Sequence, residues 1–283
     1  MKKSIAIILA LAFVLTCTMA VSVSADAAVD VAKATPTIDG KISTGEWDGS
    51  TWITLDAATY QTAAGADGSG WVNHQPAADD QFSCAIALRV DENNLYIVEK
   101  RENDAYFIFG DTAGVAFFYD GNGICLVKNG TLGPVISCLA KGKTVETPRI
   151  DIGGKQDIAG VEAKATFTDT GYVLEIAIPW SELGGVTLAD FEAGIVGVTY
   201  YVVNIFDEAY ASTPEDATAW AQYSYQLQYK GVGAWAQSPA IAVVDAPANP
   251  GNTGADTGAE SAVAVAAGAV IAAAALVVLT KKK

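Results

Sequence analysis

Between residues 82 and 229 the chain is cut into short runs of β-branched and aromatic residues, each closed by a turn of Asn, Asp and Gly. That punctuation leaves little room for anything but strands. Phe82–Val90 is one such run, and Leu95–Val98 follows it after Asp91–Asn94. Gly114–Tyr119 runs into the turn Asp120–Gly123. Val161–Thr168 alternates apolar with polar, and Thr170-Gly171 turns it back into Tyr172–Ile178. Gly194–Asn204 is rich in Val, Ile and Tyr, and Trp220–Tyr229 alternates again. Period-two patterning with Asn/Asp/Gly turns is the signature of paired strands. Helical signal is confined to a turn around Trp180–Leu183. The expected fold is all-β, an antiparallel β-sandwich of jelly-roll-like type.

The two ends have a different chemistry. Lys2 and Lys3 precede an apolar run, Ile5–Val14, of about ten residues, which suits an export signal and is too short to span a bilayer. Small residues at Val23–Ala25 suit cleavage after Ala25 or Ala27, and 1–25 is expected to be a signal peptide. A lipoprotein signal at Cys17 is the rival, with Thr16 a poor fit before it. Ala262–Thr280 has no charge and, at about 1.5 Å per residue, reaches across a ~30 Å hydrocarbon core. Lys281–Lys283 close the chain, and basic residues stay inside, so the C-terminus is expected to be cytoplasmic and the N-terminal part outside. Residues 246–261 are small, polar and rich in Pro and Gly, hence a linker, which leaves 26–245 for the sandwich. A Thr-Gly pair, an apolar span and a basic tail resemble a wall-sorting signal. However, Asn249-Pro250 stands one residue too far before Thr253-Gly254, so sortase attachment and membrane retention both remain open.

Charge narrows the partners. Five of the 17 Lys and Arg lie at the ends (Lys2, Lys3, Lys281, Lys282, Lys283), leaving 12 against 32 acidic residues, a formal −20 for the part between. Such a surface repels nucleic acid and anionic headgroups and tolerates neutral ligands. Beyond Cys17 there are three cysteines, of which Cys125 and Cys138 flank a turn and are the candidates for a disulfide across a hairpin. No Cys/His cluster suggests zinc. His74 is the lone histidine and no Gly-x-Ser-x-Gly elbow is present, so a nucleophile–histidine enzyme is not expected.

Four segments, in order, resemble the family-9 carbohydrate-binding module, a relative of DOMON-type sandwiches. They are Ala34–Ile42 with Gly45–Trp47, Leu88–Ile97 with Asn103-Asp104, Val115–Asp120, and Gly171–Leu183. The resemblance runs from about Lys33 to Val244 and implies a β-sandwich, sometimes with calcium, usually attached to polysaccharide-degrading enzymes. It implies scaffold roles for Asp39-Gly40, Trp47, Trp180 and Glu175, the last meeting a backbone or cation partner. It also implies a tryptophan clamp, for which Trp235 is the counterpart on one side; Ala116 stands where the family has a glutamate. Related sandwiches bind haem through Met and His, but Met1 and Met19 both lie in the signal, so haem is not expected.

A sugar site needs an aromatic platform beside amide or carboxylate hydrogen-bonders. The candidates are Trp71 with Asn73 and Gln75, then Trp235, Trp220 and Asn204, with Tyr201 as a further platform. For calcium, which takes several oxygens, Asp104, Asp120, Asn122 and Asp207 are the candidates. The expected function is a non-catalytic cell-surface module that binds a polysaccharide or oligosaccharide by aromatic stacking. The alternative is a surface scaffold that keeps the fold without binding sugar.

Overall fold

The computed structural model describes residues 27–59, 76–104, 122–139, 149–205 and 224–247, all within a compact unit that ends at Pro247. Two sheets carry the twelve strands found among these residues. The first sheet holds β1 (Val29–Lys33), β2 (Ile53–Asp56), β3 (Ser83–Val90), β4 (Asn94–Glu102), β8 (Glu162–Thr168), β9 (Gly171–Pro179) and β12 (Ile241–Asp245). Its order is β12-β1-β3-β4-β9-β8, with β2 paired to β3 beside β1. The second sheet holds β5 (Asn122–Lys128), β6 (Thr131–Leu139), β7 (Arg149–Ile152), β10 (Val196–Ile205) and β11 (Ser224–Gln228), in the order β11-β10-β5-β6-β7.

The all-β expectation holds, but the first sheet is not wholly antiparallel. β1 runs parallel to β12 over five register pairs, Val29↔Ile241 to Lys33↔Asp245, and parallel to β3 at Ala32↔Arg89 and Lys33↔Val90. Hairpin signals report only pairings between neighbours in sequence, so this closure of the chain's two ends had no local mark. The apolar run Gly114–Tyr119 lies outside the described residues, as do the segments 1–25 and 262–280. No helix among the described residues is long and apolar enough to cross a membrane.

Inward positions of both sheets form one core. β3 gives Cys84, Ile86 and Leu88, β4 gives Leu95 and Ile97, β9 gives Leu174, Ile176 and Ile178, and β10 gives Val196, Val198, Tyr200 and Val202. At roughly 1.5–3 kcal/mol for each fully buried large apolar side chain, this layer supplies the main drive to fold. β3 reads as an unbroken apolar run because its other face is covered too. Residues 34–50 fold back over the outward Ala87, Tyr96, Val98 and Ala177, and seal them with Trp47 and Ile38. Glu175 holds that cover. Its carboxylate accepts the backbone N–H of Asp39 at 3.0 Å and of Gly40 at 2.9 Å, and the Trp47 indole N–H at 3.1 Å. Gly40 sits at φ 78° against the backbone of Ala165, a place a side chain could hardly occupy. The scaffold roles implied for Asp39-Gly40, Trp47 and Glu175 are thus seen directly. Trp180 is half-buried, edge-on to Phe191, and its indole donates to the Asp91 carbonyl.

The turn at Trp180–Glu182 is a 3-10 turn, and beyond it α1 (Leu188–Glu192) adds one helical turn. Thr187 and Asp190 form a reciprocal capping box on α1. Asp91 performs a similar task in the β3–β4 turn. It accepts N–H bonds from Asn93 and Asn94 and hydroxyl bonds from Tyr96 and Thr35. Burial works against its charge, but the Tyr96 and Thr35 bonds and the two amides outweigh it and hold the carboxyl below its ordinary value. A depressed folded-state pKa gives stability that is present above the unfolded value near ~4 and is lost as pH falls through the folded one. Asp91→Asn is therefore expected to flatten the acid side of a stability-against-pH curve, read by urea unfolding at stepped pH. An unchanged slope would show that Asp91 is not linked to folding.

The Cys125–Cys138 pairing that the sequence left open is not formed. Cys125 is a free, buried thiol, and it stands opposite Val135, while Cys138 pairs in register with Ile150 on β7. A disulfide needs facing positions, and the hairpin register denies them.

Candidate functional site

The outward face of the second sheet differs from its inward face in chemistry. On β10, Val196, Val198, Tyr200 and Val202 enter the core, with Val203 buried in the same cluster, and Thr199 and Tyr201 point the other way. On β11, Tyr225 and Leu227 enter the core, so Gln226 and Gln228 face out beside them. Register sets Gln228 opposite Tyr201, Gln226 opposite Val203, and Tyr201 opposite Gly123 of β5. The absent side chain at Gly123 is what allows the ring its position. A Cβ there would stand 2.3 Å from Tyr201 Cε1 and Cζ, so the ring lies across the strand against the bare backbone.

Two features make this face a prepared site. Gln226 and Gln228 are only 8% and 7% exposed, so both amides are recessed in this face. Recessed amides beside an aromatic ring suit a ligand that brings its own hydroxyls. The Tyr201 phenol is pushed up to about 12 by burial, with the neighbouring Cys125 thiol adding to the shift. Burial pushes that thiol up to about 12 as well. Both stay neutral near pH 7, so Tyr201 is a hydrogen-bond donor and Cys125 is no nucleophile. The face continues across the sheet to Ser137 and its register partner Asp151, whose carboxylate accepts the Gly154 N–H at 2.8 Å.

One end of this face is walled. After β11 the chain leaves through Gly231 (φ 91°), makes a 3-10 turn at Trp235–Gln237, and returns at Ser238 and Pro239. Ala236 lies against Gly130 of the β5–β6 turn, and Ser238 and Pro239 lie over outward-facing Gly197. Trp235, half-buried, opens the turn whose Ala236, Ser238 and Pro239 lie against this face. Trp71, Asn73, Gln75 and Trp220 lie outside the described residues. Asn204 does not join the site. It turns into the core, where it accepts from Arg101 at 3.2 Å and donates to Tyr225 at 2.9 Å.

The described calcium candidates do not fit a cation. Asp104 is fully buried in an ion pair with Arg101 at 2.7 Å, and Asn122 is turned inward, donating to Glu99. Asp120 and Asp207 lie outside the described residues. No group of three or more His, Cys, Asp or Glu converges among the described residues.

Gln226, Gln228 and Gly123 escaped the sequence reading. Their signal was the alternation of Ser224–Gln228, which also describes any strand with one wet face. The chain is similar to two solved structures of a family-9 carbohydrate-binding module from Caldicellulosiruptor kristjanssonii. One, in complex with glucose, is 16% identical with a TM-score of 0.46, covering 79% of this chain and 98% of that one. The other, in complex with cellotriose, is 16% identical with a TM-score of 0.48, covering 78% and 99%. No family model matches the sequence, and no curated protein does. Neither structural likeness identifies a ligand for this chain.

Proposed function

We propose that this chain is a non-catalytic carbohydrate-binding module that takes a neutral oligosaccharide on the outward face of the second sheet. The observation that carries the reading is a tyrosine laid on glycine, Tyr201 against Gly123, beside the recessed carboxamides of Gln226 and Gln228. A pyranose presents an apolar C–H face and a ring of hydroxyls. The first removes Tyr201 and itself from water; the second offers hydrogen bonds to the Gln226 and Gln228 amides, at about 0.5–1.5 kcal/mol per bond. In the same reading residues 1–25 export the domain, and 246–283 tether it at the cell surface with the sandwich outside. The acidic balance is compatible with an uncharged ligand.

The test is retardation of the full chain on polysaccharide gels, followed by calorimetry with the oligosaccharide that retards it. Tyr201→Ala is expected to weaken binding by roughly thirtyfold, the loss of an aromatic anchor worth ~2 kcal/mol. Gly123→Ala should do nearly the same without removing any contact atom, because its methyl lifts the ring. Unfolding midpoints serve as the control. Retention of affinity in both variants sinks this site, and no retardation on any glycan favours the scaffold alternative.

A further inference from the structure

The β5–β6 hairpin turns through two residues, Asn129 at φ 51° and Gly130 at φ 73°, between the closing pair Lys128↔Thr131. Positive φ at both positions marks a type I′ turn, for which Asn-Gly is the preferred pair. The turn thus explains Asn129 and Gly130. It makes no demand for a hydroxyl at position 131, yet Thr131 completes Asn-Gly-Thr, the acceptor triplet for N-linked sugar. Among all the asparagines of the chain, only Asn129 has Ser or Thr two positions on. All three residues of the triplet are exposed, as an acceptor has to be.

A second observation falls at the same place. Among the described residues, the large apolar side chains left exposed are Ile42, Trp52, Leu132 and Ile195. Leu132 directly follows Thr131, and the Ile195 carbonyl accepts the Asn129 N–H at 2.9 Å. Strand alternation sets both outward. Ile195 is out of phase with core Val196 and Val198, and Leu132 stands opposite Val127, itself opposite outward-facing Gly197. Two of these four exposed apolar side chains therefore flank one hairpin tip, and apolar groups that gather at a surface mark a place that something covers.

Resting on the reading that residues 1–25 export the domain, we propose that Asn129 is N-glycosylated and that the first sugars of the glycan lie on Leu132 and Ile195. In the transfer, Asn129 Nδ2 bonds to C1 of an oligosaccharide carried on a lipid phosphate or pyrophosphate. The bond from C1 to the phosphate oxygen breaks, the lipid phosphate leaves with the electron pair, and an amide proton passes to a base of the transferase. The C–H faces of the sugars then cover the two apolar side chains while their hydroxyls stay in water. This glycan belongs to the chain itself and is separate from any ligand that Tyr201 takes.

The test is mass spectrometry of the peptide containing Asn129, cut from the full chain purified out of the cells that make it. A sugar mass increment localised on Asn129 is expected. Thr131→Ser should keep it. Thr131→Val, which retains a strand-forming side chain, and Asn129→Asp, which suits the same turn, should both abolish it. The glycosylated chain should also bind less of an apolar dye than Asn129→Asp does; equal dye binding overturns the cover of Leu132 and Ile195. An increment that persists in Thr131→Val overturns the triplet as its cause. An Asn129 without sugar, or converted to aspartate, in a chain that begins after Ala25 or Ala27 overturns the proposal and leaves export standing. The same result in a chain that retains residues 1–25 overturns the export reading and the proposal with it.

Discussion

Arg101→Met is expected to lower the free energy of unfolding by about 3–5 kcal/mol, the usual cost of removing one partner from a buried ion pair. Arg101 is 2% exposed and lies inside the sandwich. Its Nε donates to Asp104 Oδ2 at 2.7 Å, and its Nη2 donates to the Val203 carbonyl at 3.0 Å and to Asn204 Oδ1 at 3.2 Å. Its guanidinium also stands 4.6 Å from the Phe82 ring centroid. Methionine fills the stem's volume but strips the Asp104 carboxylate of its counter-charge in a place water does not reach. The chain from Arg101 through Asn204 to Tyr225 and Asp80 would also lose its centre. Denaturant unfolding measures the effect as a shift in midpoint at unchanged slope. Arg101→Met with Asp104→Leu should recover a good part of the loss, since a buried pair replaced whole by apolar side chains is often near neutral. A single-variant loss below about 1 kcal/mol, the scale of an exposed pair, would show the pair to be hydrated.

Glu99→Leu is expected to cost about 4 kcal/mol, by leaving several buried donors unpaired at ~1–3 kcal/mol each. Glu99 has no exposed surface. Its Oε1 accepts from Tyr200 at 2.8 Å, from Tyr172 at 2.9 Å and from the Cys84 thiol at 3.3 Å, and its Oε2 accepts from Asn122. Burial pushes the Cys84 thiol well up, with the Glu99 charge adding to it. Burial also pushes the Tyr200 phenol well up, with Cys84 and Glu99 adding to it. Both remain protonated and hence donors. This one carboxylate joins β3, β4 and β9 of the first sheet to β5 and β10 of the second. Glu99→Gln retains an acceptor oxygen for the hydroxyls but turns an N–H toward Asn122, so its loss should be smaller, about 1–2 kcal/mol. Thermal and denaturant unfolding of the two variants gives the comparison. Equal losses would mean that charge, not hydrogen bonding, is what the site requires.

These two residues show where a sequence reading stops. Phe82–Val90 and Leu95–Val98 are recognisable as strands, yet Glu99 and Arg101 continue β4 as charged residues on its inward face. On pattern alone, a glutamate and an arginine after an apolar run mark the strand's end at solvent. Only the facing sheet supplies the phenols, amides and carboxylate that make them interior residues. The capping box of Thr187 with Asp190 is a different case, because its signal is local and was open to reading from the residues themselves.

The sequence by itself determined the all-β class, the turns at Asp91–Asn94 and Thr170-Gly171, and the strands β3, β4, β8, β9 and β10. Those follow from period-two patterning and turn chemistry, which act within a few residues of the chain. The tertiary structure alone decided that β1 and β12 close the first sheet in parallel, that Cys125 faces Val135, and that Asn204 turns inward. It also decided that Tyr201, not Tyr200, is presented outward, with Gln226 and Gln228 beside it. The physical reason is parity. A shift of one residue in register exchanges the two faces of a strand, and that choice is made by what packs against it from the opposite sheet, which no local pattern encodes.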